Sequence, residues 1–342
     1  MFIIKRIRDI FSNDIAMDLG TANTLIYVKN KGIVLNEPSI VAISQKNGNI
    51  LAVGKEAKEM YGKTPDRIKA IRPMKDGVIA DFEITSMMIK YFIRRVHKKG
   101  LLIKPNIIIC VPSGITPVEK RAVIESAEQA GVRKVHLIEE PMAAAIGSKL
   151  PIHEPKCNMV VDIGGGTTEV AVISLFATAY CESIGVAGDE MDEAIVRYIR
   201  KKYNVHIGIF EGERIKIAIG SAFDLKKKET IEIKGKDLIT GTPRKIYIDD
   251  KTVRESLNEP VNAIIQAVKR ALERISPEMA VDLAERGMVL AGGGSLLRGL
   301  GRRLNQETKL RIFRAKDPLT AIVKGTGEVL ENFKTLGKVC IN

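Results

Sequence analysis

The chain contains no tryptophan, and aromatic residues make up only 5% of its 342 positions. So few stacking side chains, scattered basic residues and the lack of a recognised DNA or RNA motif lead us to expect no nucleic-acid partner. The four cysteines, Cys110, Cys157, Cys181 and Cys340, form no CxxC pair, and there are only four histidines. That pattern speaks against a structural zinc site and fits a reducing cytoplasm. No apolar run approaches the roughly 20 residues of a membrane span. Lys5, Arg6, Arg8 and Asp9 interrupt the apolar N-terminus, which does not read as a signal peptide. What is present is an ordinary globular composition, 45% hydrophobic and 28% charged, with length enough for two domains. The net charge of +13 favours acidic partners such as a nucleotide or anionic lipid.

Strand-like runs alternate with amphipathic helices, so the fold class is α/β. Pro117–Gln129 reads as a helix, and Lys226–Ile248 as a small antiparallel sheet. The most informative feature is a near-repeat: Asp18-Leu19-Gly20-Thr21-Ala22-Asn23 and Asp162-Ile163-Gly164-Gly165-Gly166-Thr167-Thr168. Each copy lies between two apolar, strand-like runs, so each is expected to be a hairpin turn. Glycines let backbone N–H groups approach phosphate oxygens, and hydroxyls add hydrogen bonds. Two such turns facing each other would form a phosphate clamp. Asp18 and Asp162 would repel phosphate directly; they make sense if a hydrated Mg²⁺ lies between them and the phosphates. The turns are neither a P-loop nor a Rossmann fingerprint, because they open strands rather than helices.

Three further segments are ambiguous on their own. Gly292–Ser295 follows a strand and precedes a predicted helix at Leu296–Leu304, and is either a ribose or phosphate contact or a tight packing turn. Glu213 and Lys216 share a helix face and are either a surface ion pair or an adenosine contact. Glu140 either complements a helix dipole or orients an attacking water, with Glu139 as its neighbouring decoy.

In order, Asp18–Asn23, Glu140, Asp162–Thr168, Glu213–Lys216 and Gly292–Ser295 resemble the actin/chaperone/sugar-kinase ATPase superfamily. Within it, Asp14–Tyr27, Ile71–Asp81, Leu137–Gly147, Val160–Ser174 and Glu285–Leu297 resemble the MreB family of bacterial actin-like proteins, essentially over the full length. The resemblance implies an actin-like fold of two lobes with smaller inserted subdomains, and ATP with Mg²⁺ in a central cleft. The implied divisions are 1–31, 77–141 and 315–342 for the first core, with 32–76 inserted. The second core comprises 142–180 and 250–314, with 181–249 inserted. Asp18 and Asp162 would hold the metal through water. Thr21, Ala22 and Asn23 would meet the phosphates from one side and Gly164, Gly165, Gly166 and Thr167 from the other. Glu140 and Thr167 would position the water. Glu213, Arg214, Ile215 and Lys216, with Gly292, Gly293, Gly294 and Ser295, would surround the adenosine.

The resemblance also implies slow ATP hydrolysis coupled to polymerisation. It implies filaments on the inner face of the cytoplasmic membrane that organise cell-wall synthesis, work with membrane proteins of the elongation machinery and maintain rod shape. Val118, Ala122 and Glu125 form one helical stripe that would pair protofilaments. Ile3, Ile4, Ile7, Ile10 and Phe11 fall within about 120° on a helical wheel. Residues 2–11, together with Leu101, Leu102 and Ile103 between lysines, are therefore the expected contacts with an anionic membrane. The alternative is a monomeric ATPase or kinase of the same superfamily. A chaperone would need a further peptide-binding domain, for which a chain ending at Asn342 is expected to leave no room. A sugar kinase would need a substrate-directed catalytic Asp, for which no candidate appears.

Overall fold

The computed structural model describes residues 14–97 and 104–341. It divides into two compact units. One holds the described residues up to Glu154, Ser174–Thr178 and those from Leu319 onward; the other holds Pro155–Ile173 and Ala179–Pro318. Residues 2–11 and Leu101, Leu102 and Ile103, expected to meet membrane, lie outside the described residues.

The first unit is built on a five-stranded sheet ordered Lys134–Glu139, Asn106–Val111, Ile15–Leu19, Asn23–Val28, Gly32–Pro38. The first three run parallel, and the hairpin strands return antiparallel. Continuous apolar runs such as Ile107–Val111 are buried because helices cover the sheet. Helix Phe82–Val96 is started by the Asp81 carboxylate, which accepts from Ile84 N–H, and buries Met88, Ile89, Phe92 and Ile93. Helices Glu140–Gly147 and Ala321–Glu331 approach almost backbone to backbone. A Cβ on Gly147 would sit 1.9 Å from the Ala321 carbonyl oxygen, and one on Gly325 1.9 Å from that of Ala143. Only glycine permits this approach, and it brings Thr326 Oγ1 within 2.6 Å of Cys110 Sγ. Helix Pro117–Gln129 spans the expected residues, opened by a Thr116–Glu119 capping box.

The second unit repeats the plan. Its sheet is ordered Ile312–Arg314, Met288–Ala291, Asn158–Ile163, Thr168–Ser174, Ala177–Ile184. The registers correspond: Asp18 pairs with Leu25 and Leu19 with Thr24, as Asp162 pairs with Glu169 and Ile163 with Thr168. Its core gathers Val161, Ile163, Val170, Ile195, Ile215, Ile264 and Val268 from sheet and helices. Helix Asn258–Arg274 buries an apolar stripe from Val261 to Ala271. Strands Val205–His206, Thr230–Asp237 and Pro243–Asp249 form the small antiparallel sheet.

Candidate functional site

Both hairpins close with the same hydrogen bond. Gly20 N–H donates to the Asn23 carbonyl at 3.2 Å, and Gly164 N–H to the Thr167 carbonyl at 2.9 Å. In the first unit, Asp18 is 7% exposed at the carboxyl end of its strand, level with Cys110 and hence with Ile138. Glu140 follows two residues later at the same sheet end. Buried and only 7% exposed, it is the first residue of its helix. Glu139 instead accepts from Thr178 Oγ1 at 3.2 Å. The hairpin is braced from outside: Thr21 Oγ1 accepts from Gly77 N–H at 3.1 Å, and Ser39 Oγ donates to the Gly20 carbonyl at 2.7 Å. Ala22 accepts from Ser39 N–H through its carbonyl, and Asn23 is exposed. Ser39 went unnoticed in the sequence, where a serine in a loop carries no signal.

In the second unit, Gly188 N–H donates to the Gly164 carbonyl at 3.2 Å and Asp189 N–H to that of Gly165 at 2.7 Å. The start of helix Gly188–Tyr203 thus takes the carbonyls of the glycine turn. Because N–H and C=O of one planar peptide point opposite ways, the N–H groups of Gly165 and Gly166 are turned away from that helix. This orientation suits an anion. Thr167 is buried, and Thr168 Oγ1 donates to the Val186 carbonyl at 2.7 Å.

Glu213, Arg214, Ile215 and Lys216 lie on helix Ile209–Ile219, but they are used differently. Ile215 is fully buried core. Arg214 bonds Glu211 and the Glu232 carbonyl. Lys216 Nζ donates to the Gly188 carbonyl at 2.8 Å and lies 2.8 Å from Asp192 Oδ1. Glu213 is half-buried. Burial pushes the Asp192 carboxyl up to about 7, against the pull of Lys216. Asp192 was missed in the sequence; its signal is an acid flanked by Met191 and Ile195 on the buried helix face.

Gly292 begins where Ala291 pairs with Asp162, so Gly292–Ser295 packs beside the carboxylate. At φ +73°, a Cβ there would sit 2.2 Å from the Ile163 carbonyl oxygen and 2.7 Å from Asp162 Oδ1. Gly294 is buried and Gly293 half-buried, while Ser295 Oγ donates to the Gly292 carbonyl at 2.7 Å. The helix expected at Leu296–Leu304 starts only at Leu300. Gly293–Leu296 is a single 3₁₀ turn, and the α-helix runs Leu300–Thr308. Gly299, at φ +76°, breaks the path between them, so the glycine turn does not sit at an α-helix N-terminus.

Asp162, in the strand just before its glycine turn, is 2% exposed. Its Oδ1 has no hydrogen-bond partner, and burial pushes its carboxyl up to about 7. An orphaned buried carboxylate oxygen is costly, and a cation beside it would restore the ionised form. Among the described residues, no three His, Cys, Asp or Glu side chains cluster to hold a metal ion. A single orphaned carboxylate oxygen fits a metal that keeps most of its waters, as Mg²⁺ does.

Two units of one topology, each with a carboxylate–glycine hairpin at the same sheet position, define an actin-like α/β fold. The chain belongs to the MreB/Mbl protein family, whose family model matches residues 12–338. It is 52% identical over 334 residues to the cell shape-determining protein MreB of Escherichia coli (strain K12), covering 96% of each chain. It is 49% identical over 328 residues to the cell shape-determining protein Mbl of Bacillus subtilis (strain 168), covering 96% of this chain and 98% of that one. The crystal structure of MreB5 of Spiroplasma citri bound to AMPPNP matches with a TM-score of 0.90 at 34% identity, over 95% of this chain and 97% of that one. The MamK double helical filament shares the fold, with a TM-score of 0.79 at 21% identity over 93% and 99% of the two chains.

Proposed function

We propose that this chain is a cytoskeletal ATPase that forms nucleotide-dependent filaments and sets rod shape. The observation that carries the reading is the equivalence of the two hairpins in bond pattern and register. It joins membership of a family whose named relatives determine cell shape and a relative crystallised with AMPPNP and with ADP. Both hairpins serve one nucleotide. Thr21, Ala22 and Asn23 of one, and Gly164 to Thr167 of the other, hold the phosphates. Asp18 and Asp162 fix the waters of a Mg²⁺ ion, which neutralises phosphate charge when bound. Glu140 and Thr167 orient the attacking water. Glu213 and the Gly292–Ser295 turn border the adenosine, and Lys216 positions the Gly188 end of its neighbouring helix.

In this reading each of the two cores carries a smaller inserted subdomain, and protofilaments pair through Val118, Ala122 and Glu125. Helix Pro117–Gln129 packs inward through Val123, Ser126 and Ala127 and leaves Val118 78% exposed. Among the described residues, no helix is long and apolar enough to cross a membrane. Residues 2–11 and Leu101 to Ile103 supply peripheral attachment to the anionic inner membrane surface, beside membrane proteins of the elongation machinery. Sedimentation with and without ATP tests the class. ATP-dependent pelleting supports a polymer, whereas a monomeric ATPase or kinase stays in the supernatant.

A further inference from the structure

Two adjoining cavities on the second unit, of about 470 and 410 Å³, share Phe223 and Asp224 in their walls. The larger has an apolar lining of Leu225, Leu290, Leu297 and Ile312, with Lys226, Arg302 and Arg314 among its cations. These three cations are exposed, and Lys227 and Lys228 extend the basic run. The lining acid, Asp224, is met by Arg254 at 2.6 Å. Arg302 lies over the Phe223 ring at 5.1 Å, which holds its guanidinium beside the opening. Phe313, 48% exposed, sits on Ile312–Arg314, the outermost strand of its sheet. The nucleotide reading employs none of these cations, and a strand edge beside an exposed aromatic ring is a surface that proteins usually cover or blunt.

We propose that this groove docks an acidic segment of a partner protein, one large apolar side chain entering the cavity and flanking carboxylates meeting Lys226, Arg302 and Arg314. A second copy of this chain is disfavoured as occupant, because its densest acidic run, Asp189-Glu190-Met191-Asp192-Glu193, has Met191 and Asp192 buried in its own unit. A flat anionic bilayer would touch the cations without filling the apolar cavity. Ser295 of the proposed adenosine turn also lines the larger cavity, but none of the three cations is assigned to the nucleotide.

The test is fluorescence anisotropy of the full chain with a labelled acetyl-Asp-Glu-Phe-Glu-Asp amide at physiological ionic strength. Saturable binding is expected. Arg302→Glu/Arg314→Glu should weaken it about tenfold or more, and replacing the peptide's Phe by Ala about tenfold. Lys201→Glu/Lys234→Glu, at exposed lysines outside the cavity lining, should change it less than about twofold. All four positions are exposed, and thermal melting confirms that each variant folds. Absence of saturable binding, equal losses from the two double variants, or indifference to the peptide's Phe would overturn the proposal. So would phosphatidylglycerol vesicles binding through the same arginines while the peptide does not.

Discussion

Lys216 Nζ lies 2.8 Å from Asp192 Oδ1, joining two consecutive helices of the second unit by an ion pair whose side chains are only 16% and 6% exposed. The same ammonium holds the Gly188 carbonyl, and Gly188 N–H holds the Gly164 carbonyl. The glycine hairpin is therefore positioned by a chain of contacts that ends in a buried charge pair.

Removing Lys216 should leave the Asp192 carboxyl buried without its cation, to be desolvated or protonated at a cost. Lys216→Met is expected to lower stability by about 3 kcal/mol, read by urea unfolding. Asp192→Leu/Lys216→Met should recover most of that loss. A double variant no more stable than the single one would contradict the pairing.

The buried Asp162 makes a pH-dependent prediction. Its folded carboxyl is raised to about 7, so the folded state holds the proton more tightly than the unfolded one. Its contribution to stability is then full below about pH 4 and is lost as pH rises to about 7. Asp162→Asn should raise the melting temperature of nucleotide-free protein at pH 8, with the gain shrinking toward pH 4. A gain independent of pH would count against burial of the charge as the cause.

Glu140 and Glu139 should separate in kinetics. Glu140→Ala is expected to bind ATP but hydrolyse it about 10²–10⁴-fold more slowly. Glu139, engaged with Thr178, should matter less. A larger loss in Glu139→Ala would reverse the assignment.

Two surface changes should divide assembly from its attachments. Val118→Glu, at an exposed site where stability changes by no more than about 0.5 kcal/mol, should give single filaments in electron micrographs. Deleting residues 2–11 together with Leu101→Ser/Leu102→Ser should abolish co-sedimentation with anionic liposomes and leave ATP-dependent assembly in solution. Paired filaments from the first variant, or wild-type liposome pelleting by the second, would refute these surfaces.

The hairpins were legible in the sequence because glycine and hydroxyl residues interrupt two apolar runs, a local signal. Strand Ile15–Leu19 and helix Pro117–Gln129 fall where the pattern put them, since period and capping are also local. The Asp192–Lys216 pair was hidden because it depends on how two helices pack. The break at Gly299 was hidden because a single glycine does not show whether a helix passes through it. Leu175 and Phe176 form a turn at φ +50° and +62° without the usual glycine or asparagine. Their N–H groups bond the Glu154 and Ile152 carbonyls, contacts that the local pattern does not reveal.

The central claim, that Asp18 and Asp162 serve one hydrated Mg²⁺ and one nucleotide, is tested most directly by calorimetric ATP affinity with Mg²⁺ and with EDTA. Wild type, Asp18→Ala, Asp162→Ala and the double variant are compared. Each single variant should lose the Mg²⁺-dependent part of the affinity, and the double variant should bind no more weakly than either, because both act through one ion. Unchanged Mg²⁺ dependence in either single variant, or strictly additive losses in the double one, would contradict the account.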